Sequence, residues 1–221
     1  MRLAFSALIK FVVGLILVGA LLFLPAGSIG YMNAWLFIGL LFGPMLILGV
    51  VLLIKAPNLL DKRLSAKEKE KSQRGVVALS GLLFVVGFVV AGLDFRFEWS
   101  YVPLWAVIIA AVILVASYGL YAEVMRENAY LSRTVEIQKD QMVVDTGLYS
   151  IVRHPMYAVT IWLFLSIPIV LGSWWSLVCF VPYIAVIVAR IRNEEQVLEA
   201  GLEGYAEYKK RVKYRILPFV W

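Results

Sequence analysis

The topology turns on "PMYAVTIWLFLSIPIVLGSWWSLVCFVPYIAVIVA", residues 155–189, an apolar block with no charged residue. One ordinary membrane-crossing helix needs about 20 residues, so the block is long for one crossing and short for two full ones. "LGSWW", Leu171 to Trp175, places a Gly-Ser break near its middle. The pattern predicts a tight helical hairpin.

The distribution of positive charge tests that expectation, because Lys and Arg accumulate on the cytoplasmic side of membrane proteins. With two crossings in the hairpin, the N-terminus, the loop 55–75, the segment 123–153 and the tail from Arg190 share one side. Together they carry all of the 21 Lys and Arg residues except Arg96. One crossing would export a tail holding Arg190, Arg192, Lys209, Lys210, Arg211, Lys213 and Arg215.

Working outward, further apolar spans fall at 5–24, 31–54, 76–93 and 101–122. The chain is 62% hydrophobic and 16% charged, with a mean hydropathy of +0.85, against about 25% charged residues in a soluble domain. The expected fold is an all-α integral membrane protein of about six transmembrane helices. The last two form the hairpin, and an amphipathic C-terminal helix follows on the cytoplasmic side. Residues 1–122 make a four-span N-terminal region, and residues 123–221 add the polar segment, the hairpin and the C-terminal helix. The whole is one compact membrane domain, with both termini in the cytoplasm.

Composition also excludes function classes. A lone Cys179 rules out a disulfide framework and a Cys/His zinc site, and no metal centre is expected. The net charge of +6 lies between apolar spans, which is a topology signal and not a nucleic-acid footprint; membrane lipids are the expected neighbours. Arg2 and Lys10 precede an apolar run that lacks an A-x-A site, so the first span is expected to be retained. The loop 55–75 mixes both signs and reads as a solvated, topology-setting connection. Trp35, Trp99, Trp105, Trp174 and Trp175 read as interface belt or packing. Segment 189–212 has helix-forming residues and is expected to continue the last span, bent or interrupted near Gly201 and Gly204.

Chemistry-bearing residues fall in two clusters. The first, "QKDQMVVDTGLYSIVRHPMY", runs from Gln138 to Tyr157 and contains the only histidine. Pro155 suits the first turn of a helix, where its missing N–H is no loss, so Arg153 and His154 stand at the helix entrance. Backbone N–H groups there suit an anion. The second cluster, "RIRNEE", holds Arg190 and Glu194 four residues apart, on one helix face. Carboxylates so close to a bilayer are costly without a partner or a cationic ligand. The hairpin brings the clusters together, giving a polar site that faces the cytoplasm. Residue chemistry alone does not name the reaction.

"TGLYSIVRHPMY" (Thr146–Tyr157), "RIRNEEQVL" (Arg190–Leu198) and "GYAEYKKRVKYRILP" (Gly204–Pro218) together resemble the isoprenylcysteine carboxyl methyltransferase and phospholipid methyltransferase superfamily. The resemblance spans about residues 120–221 and makes 123–221 the catalytic region. It implies S-adenosylmethionine (SAM) as cofactor and a lipidic or prenylated small-molecule or peptide acceptor arriving from the bilayer. On the matching positions, SAM would contact Gln138, Gln141, Met142, Val143, Val144, Tyr149, His154, Pro155, Met156, Tyr157 and Glu194. Arg190 would be the catalytic, acceptor-binding residue, and a carboxylate of isoprenylcysteine type the acceptor. Gln141 stands where eukaryotic carboxyl methyltransferases have histidine, and Val159 where many members have glycine.

Two other classes compete. Membrane sterol reductases that use NADPH have a similar C-terminal region, but tend to read "RHPNY" followed by an acidic residue and a downstream Lys-Tyr-Gly. Here the sequence reads "RHPMYAVT" with no Lys-Tyr-Gly. A membrane scaffold or transporter would explain the spans but not the order of the three motifs.

Overall fold

The computed structural model describes residues 2–64, 71–131 and 137–221. Among these the chain is helical, with no strand. The N-terminal region comprises α1 (Arg2–Ala26), α2 (Met32–Lys55), α3 (Pro57–Leu64), α4 (Lys71–Phe97) and α5 (Leu104–Glu127). A single 3₁₀ turn, Gly147–Ser150, precedes α6 (Pro155–Val170), α7 (Trp174–Phe180), α8 (Tyr183–Gly201) and α9 (Tyr205–Arg211).

Five of these segments are long and apolar enough to cross a membrane, counting α7 and α8 as one 28-residue span, Trp174–Gly201. The sixth apolar segment, α6, has 16 residues. At a rise of about 1.5 Å per residue it is roughly 24 Å long, just short of the hydrocarbon core. The expected hairpin is therefore present, with a short first arm and a kinked second one. The kink at Val181–Pro182 lay unforeseen within the apolar run. Pro182 has no N–H for the helical ladder and crowds the preceding turn.

One further boundary differs from expectation and one agrees with it. The connection 55–75 was expected to be a solvated loop, but its first part is helical: Pro57 opens α3 at the position where proline fits best. Of the rest of that loop, 71–75 already belongs to α4, and 65–70 lies outside the described residues, as does 132–136 in the polar segment. At the C-terminal end the interruption falls where the glycines stand. Gly204, with φ +81°, separates α8 from α9 in a left-handed conformation that only glycine adopts cheaply.

The bundle closes by packing α5 along α6, α1 along α4, and α4 against α7 and α8. Leu22, Phe37, Phe88, Leu114, Ile167 and Phe180 fill its centre. The hairpin tip is pinned by hydrogen bonds that a lipid environment makes worth keeping. Tyr31 Oη donates to the Leu171 carbonyl, and Asn33 Nδ2 donates to the Val170 carbonyl at 2.8 Å. Ser173 caps α7 by accepting the Ser176 N–H and donates its own hydroxyl to buried Asp94. Asp94 also accepts the N–H and hydroxyl of Ser100, at 2.8 and 2.6 Å. A fixed tip fixes where both hairpin arms end, and hence the relation of α6 to α8 at the other end.

Candidate active site

The polar end of the hairpin is organised around Gly147, whose φ is +51°. A Cβ at this position would fall on the Glu127 carboxylate. With glycine there, Glu127 Oε2 accepts the Leu148 N–H at 2.9 Å and ties the 3₁₀ turn to the end of α5. Tyr149, buried in that turn, accepts a hydrogen bond from Asn128 Nδ2 on its hydroxyl and one from Tyr208 Oη on its carbonyl. Burial pushes the Tyr149 and Tyr208 phenols up from their ordinary pKa, so both are neutral at pH 7.

The next residues are joined to the C-terminal tail. The Arg153 and His154 N–H groups donate to the Tyr214 and Arg215 carbonyls at 2.9 and 2.8 Å. The Arg153 guanidinium donates from Nη1 to the carbonyls of Val212 and Lys213, and from Nε to Glu195 Oε1 at 2.8 Å. His154 Nε2 lies 3.2 Å from the same oxygen, while Arg215 Nε and Nη2 reach Glu195 Oε2 at 3.0 and 2.9 Å. Arg215 in turn sits over the Trp221 ring. Glu195, 3% exposed, is thus a buried carboxylate with two guanidiniums and an imidazole around it. An ionised carboxylate only accepts, so His154 Nε2 carries a proton.

Neighbouring side chains on a helix point about 100° apart, so Glu194 faces elsewhere. Tyr157 on α6 meets it across the hairpin: Tyr157 Oη donates to Glu194 Oε2 and accepts from Arg190 Nε at 2.9 Å. Arg190, Tyr157 and Glu194 form one linked unit, with both α8 residues on the face expected from their spacing.

This unit lies on the wall of a cavity of about 820 Å³. Of the residues expected at the cofactor, Gln141, Met142, Val143, Val144, Tyr149, His154, Met156, Tyr157 and Glu194 line it, as does Arg190. Gln138 and Pro155 are not among the lining residues. Gln138 instead supports the wall, its side-chain amide donating to the Tyr130 carbonyl and its N–H to Gln141 Oε1. Pro155 is the buried first residue of α6. Away from the polar end the cavity becomes apolar, between Met45 and Leu48 of α2, Phe84 of α4, Leu163 and Phe164 of α6 and Ile187 of α8. Helices α2 to α5 therefore contribute part of the cavity wall.

Sequence reasoning placed none of Arg215, Tyr205 and Tyr208 at the site, and of Glu195 it expected only that, like Glu194, it needs a partner or a cationic ligand. The one available signal was the pairing of two acidic residues beside a bilayer, which requires two sets of partners. Which basic residues would serve was fixed only by the fold.

Residues 104–203 match the phospholipid methyltransferase family. That family belongs to the same superfamily of integral membrane methyltransferases as the isoprenylcysteine carboxyl methyltransferases. The match takes in α5 to α8, with the Arg-His-Pro and "RIRNEE" motifs, and supports a membrane methyltransferase. No curated protein matches the chain.

Proposed function

We propose that the protein transfers a methyl group from SAM to the carboxylate of a lipidic acceptor of isoprenylcysteine type that enters from the bilayer. The observation that carries this reading is the continuity of one cavity from the Arg190–Tyr157–Glu194 unit to an apolar wall between α2, α4, α6 and α8. Its volume lies in the range of about 300–1,000 Å³ that suits small-molecule and cofactor ligands.

The residues fit a sulfonium cofactor. Glu194 offers a carboxylate, beside a neutral Tyr149, at the place where a cationic ligand would balance it. When bound, SAM supplies an electrophilic methyl group on positively charged sulfur. Gln141 to Val144, Tyr149, His154, Met156, Tyr157 and Glu194 would hold it, with Gln138 and Pro155 behind them. Tyr157 holds the Arg190 guanidinium against the cavity wall, where its planar fork suits a carboxylate.

A carboxylate is already an anion at neutral pH and needs no base, so Arg190 has only to position it in line. An ammonium acceptor would first have to lose a proton. The single histidine is buried with its Nε2 on Glu195, which places it poorly for that work. Exclusion of water by the apolar wall favours a reaction in which an anion and a cation neutralise each other. By the charge distribution, the site opens toward the cytoplasm.

The experiment has two stages. Detergent-purified protein is titrated separately with S-adenosylhomocysteine and NADPH, reading thermal stabilisation. Stabilisation by S-adenosylhomocysteine alone is expected, and stabilisation by NADPH alone would replace this reading with a reductase. Methyl transfer is then measured on an S-prenylated cysteine with a free carboxylate and on phosphatidylethanolamine, since the matching family is named for phospholipids. The expected product is a base-labile methyl ester; a base-stable N-methyl product would make the acceptor an amine.

A further inference from the structure

We infer that Tyr205 binds the methyl-donor cofactor, its buried phenol donating a hydrogen bond to an acceptor atom of that ligand at the polar end of the cavity. The inference rests on the SAM reading above and adds a residue from α9, outside the stretch that matches the family model.

Tyr205 is 4% exposed and lines the cavity with Val143, Glu194 and Leu198. Among the described residues, its hydroxyl is the one buried side-chain polar atom with no hydrogen-bond partner. Neighbouring phenols are satisfied: Tyr208 donates to the Tyr149 carbonyl at 2.7 Å, and Tyr149 accepts from Asn128 at 3.1 Å. A buried hydroxyl left alone is costly, and native proteins keep very few. When one stands on the wall of a ligand cavity, the ligand is the natural partner.

The surroundings hold the ring in place. It packs with Leu202, Tyr208 and Val212, against Val143 of the segment expected at the cofactor. Burial and the nearby Glu195 and Glu194 carboxylates push its pKa up, so the group stays a neutral O–H donor at physiological pH. The nearby carboxylates help keep the phenol protonated, and with no partner among the described residues its proton is available to a ligand acceptor on the cavity wall.

Tyr205→Phe in the full-length protein separates this role from a structural one. Removing an unpaired buried hydroxyl should leave the melting temperature of the ligand-free protein unchanged or higher, because no bond is lost. Affinity for S-adenosylhomocysteine should fall by about tenfold, the scale of one buried hydrogen bond. Tyr208→Phe is the comparison: it breaks a bond already made and should lower the ligand-free melting temperature. If Tyr205→Phe binds S-adenosylhomocysteine as tightly as the parent, the inference fails while the cofactor reading stands. A lower ligand-free melting temperature, or failure to fold, would show the hydroxyl to be structural and overturn it. A parent protein that does not respond to S-adenosylhomocysteine would remove the cofactor reading itself.

Discussion

Arg153 and Glu195, 42 residues apart in the chain, form an ion pair at 2.8 Å with side chains only 3% and 4% exposed. The pair ties the entrance of α6 to α8, and through the Arg153 contacts with Val212 and Lys213 it ties both to the tail. Removing one partner of such a pair strands the other's charge in a place water cannot reach, at about 3–5 kcal/mol. Glu195→Gln should therefore lower the melting temperature with or without ligand. It should also expose the segment beyond Arg211 to trypsin. A variant as stable and as protease-resistant as the parent would show that the tail is held by other contacts.

Its neighbour on the helix should behave in the opposite way. Glu194 faces the cavity through Tyr157, so Glu194→Gln should keep the ligand-free melting temperature while weakening S-adenosylhomocysteine binding by about tenfold. Unchanged affinity in a binding titration would take Glu194 out of the cofactor site.

For Arg190 the expected split is between binding and turnover. Arg190→Ala should still bind S-adenosylhomocysteine but lose about a hundredfold in kcat/KM for the carboxylate acceptor. Arg190→Lys should restore little, because a point charge does not replace a planar fork that also donates to Tyr157. Loss of cofactor affinity matching the loss of turnover would contradict an acceptor role.

These contrasts mark how far the residues alone could be read. The hairpin was legible because a Gly-Ser break divides an apolar block too long for one crossing, and the Arg190–Glu194 face because four residues make about one turn. Tyr157 was recognised as a site residue, yet its bridge between them needed α6 and α8 at their actual separation. Glu195 was opaque for a physical reason: its partners Arg153 and Arg215 are 42 and 20 residues away. Several other basic residues would have satisfied the same carboxylate. Tyr205 and Tyr208 look alike in "GYAEYKK", and only folding gives one phenol a carbonyl and leaves the other facing the cavity. The helix at Pro57–Leu64 had a signal in its proline, outweighed by the mixed charges that follow.

Gly147 and Gly204 both have positive φ, yet they should differ in tolerance. A Cβ on Gly204 would meet only Val143, at 3.9 Å, whereas one on Gly147 meets the Glu127 carboxylate. Gly204→Ala should cost about 1–2 kcal/mol, from backbone strain alone. Gly147→Ala should cost more and also weaken S-adenosylhomocysteine binding, because the displaced turn carries Tyr149. Adding Glu127→Ala should recover part of that loss. Equal costs for the two single variants, measured by thermal unfolding, would mean that Glu127 moves aside freely.

The apolar half of the cavity offers a test of what the acceptor carries. Gly81, on α4, lines this cavity, and a Cβ there would meet nothing within 4 Å. A side chain there would fill part of the cavity, starting from a Cβ that meets no neighbour, and replacing glycine within a helix is favourable by itself. Gly81→Phe should leave S-adenosylhomocysteine affinity and the melting temperature in place while raising KM for a long-chain prenyl acceptor by about tenfold. A short-chain acceptor that does not reach α4 should be affected far less, because its carboxylate still meets Arg190. The ratio of the two KM values is the measurement that decides. If long and short acceptors lose equally, the apolar wall does not hold the chain, and α2 and α4 bound the cavity without selecting what enters it.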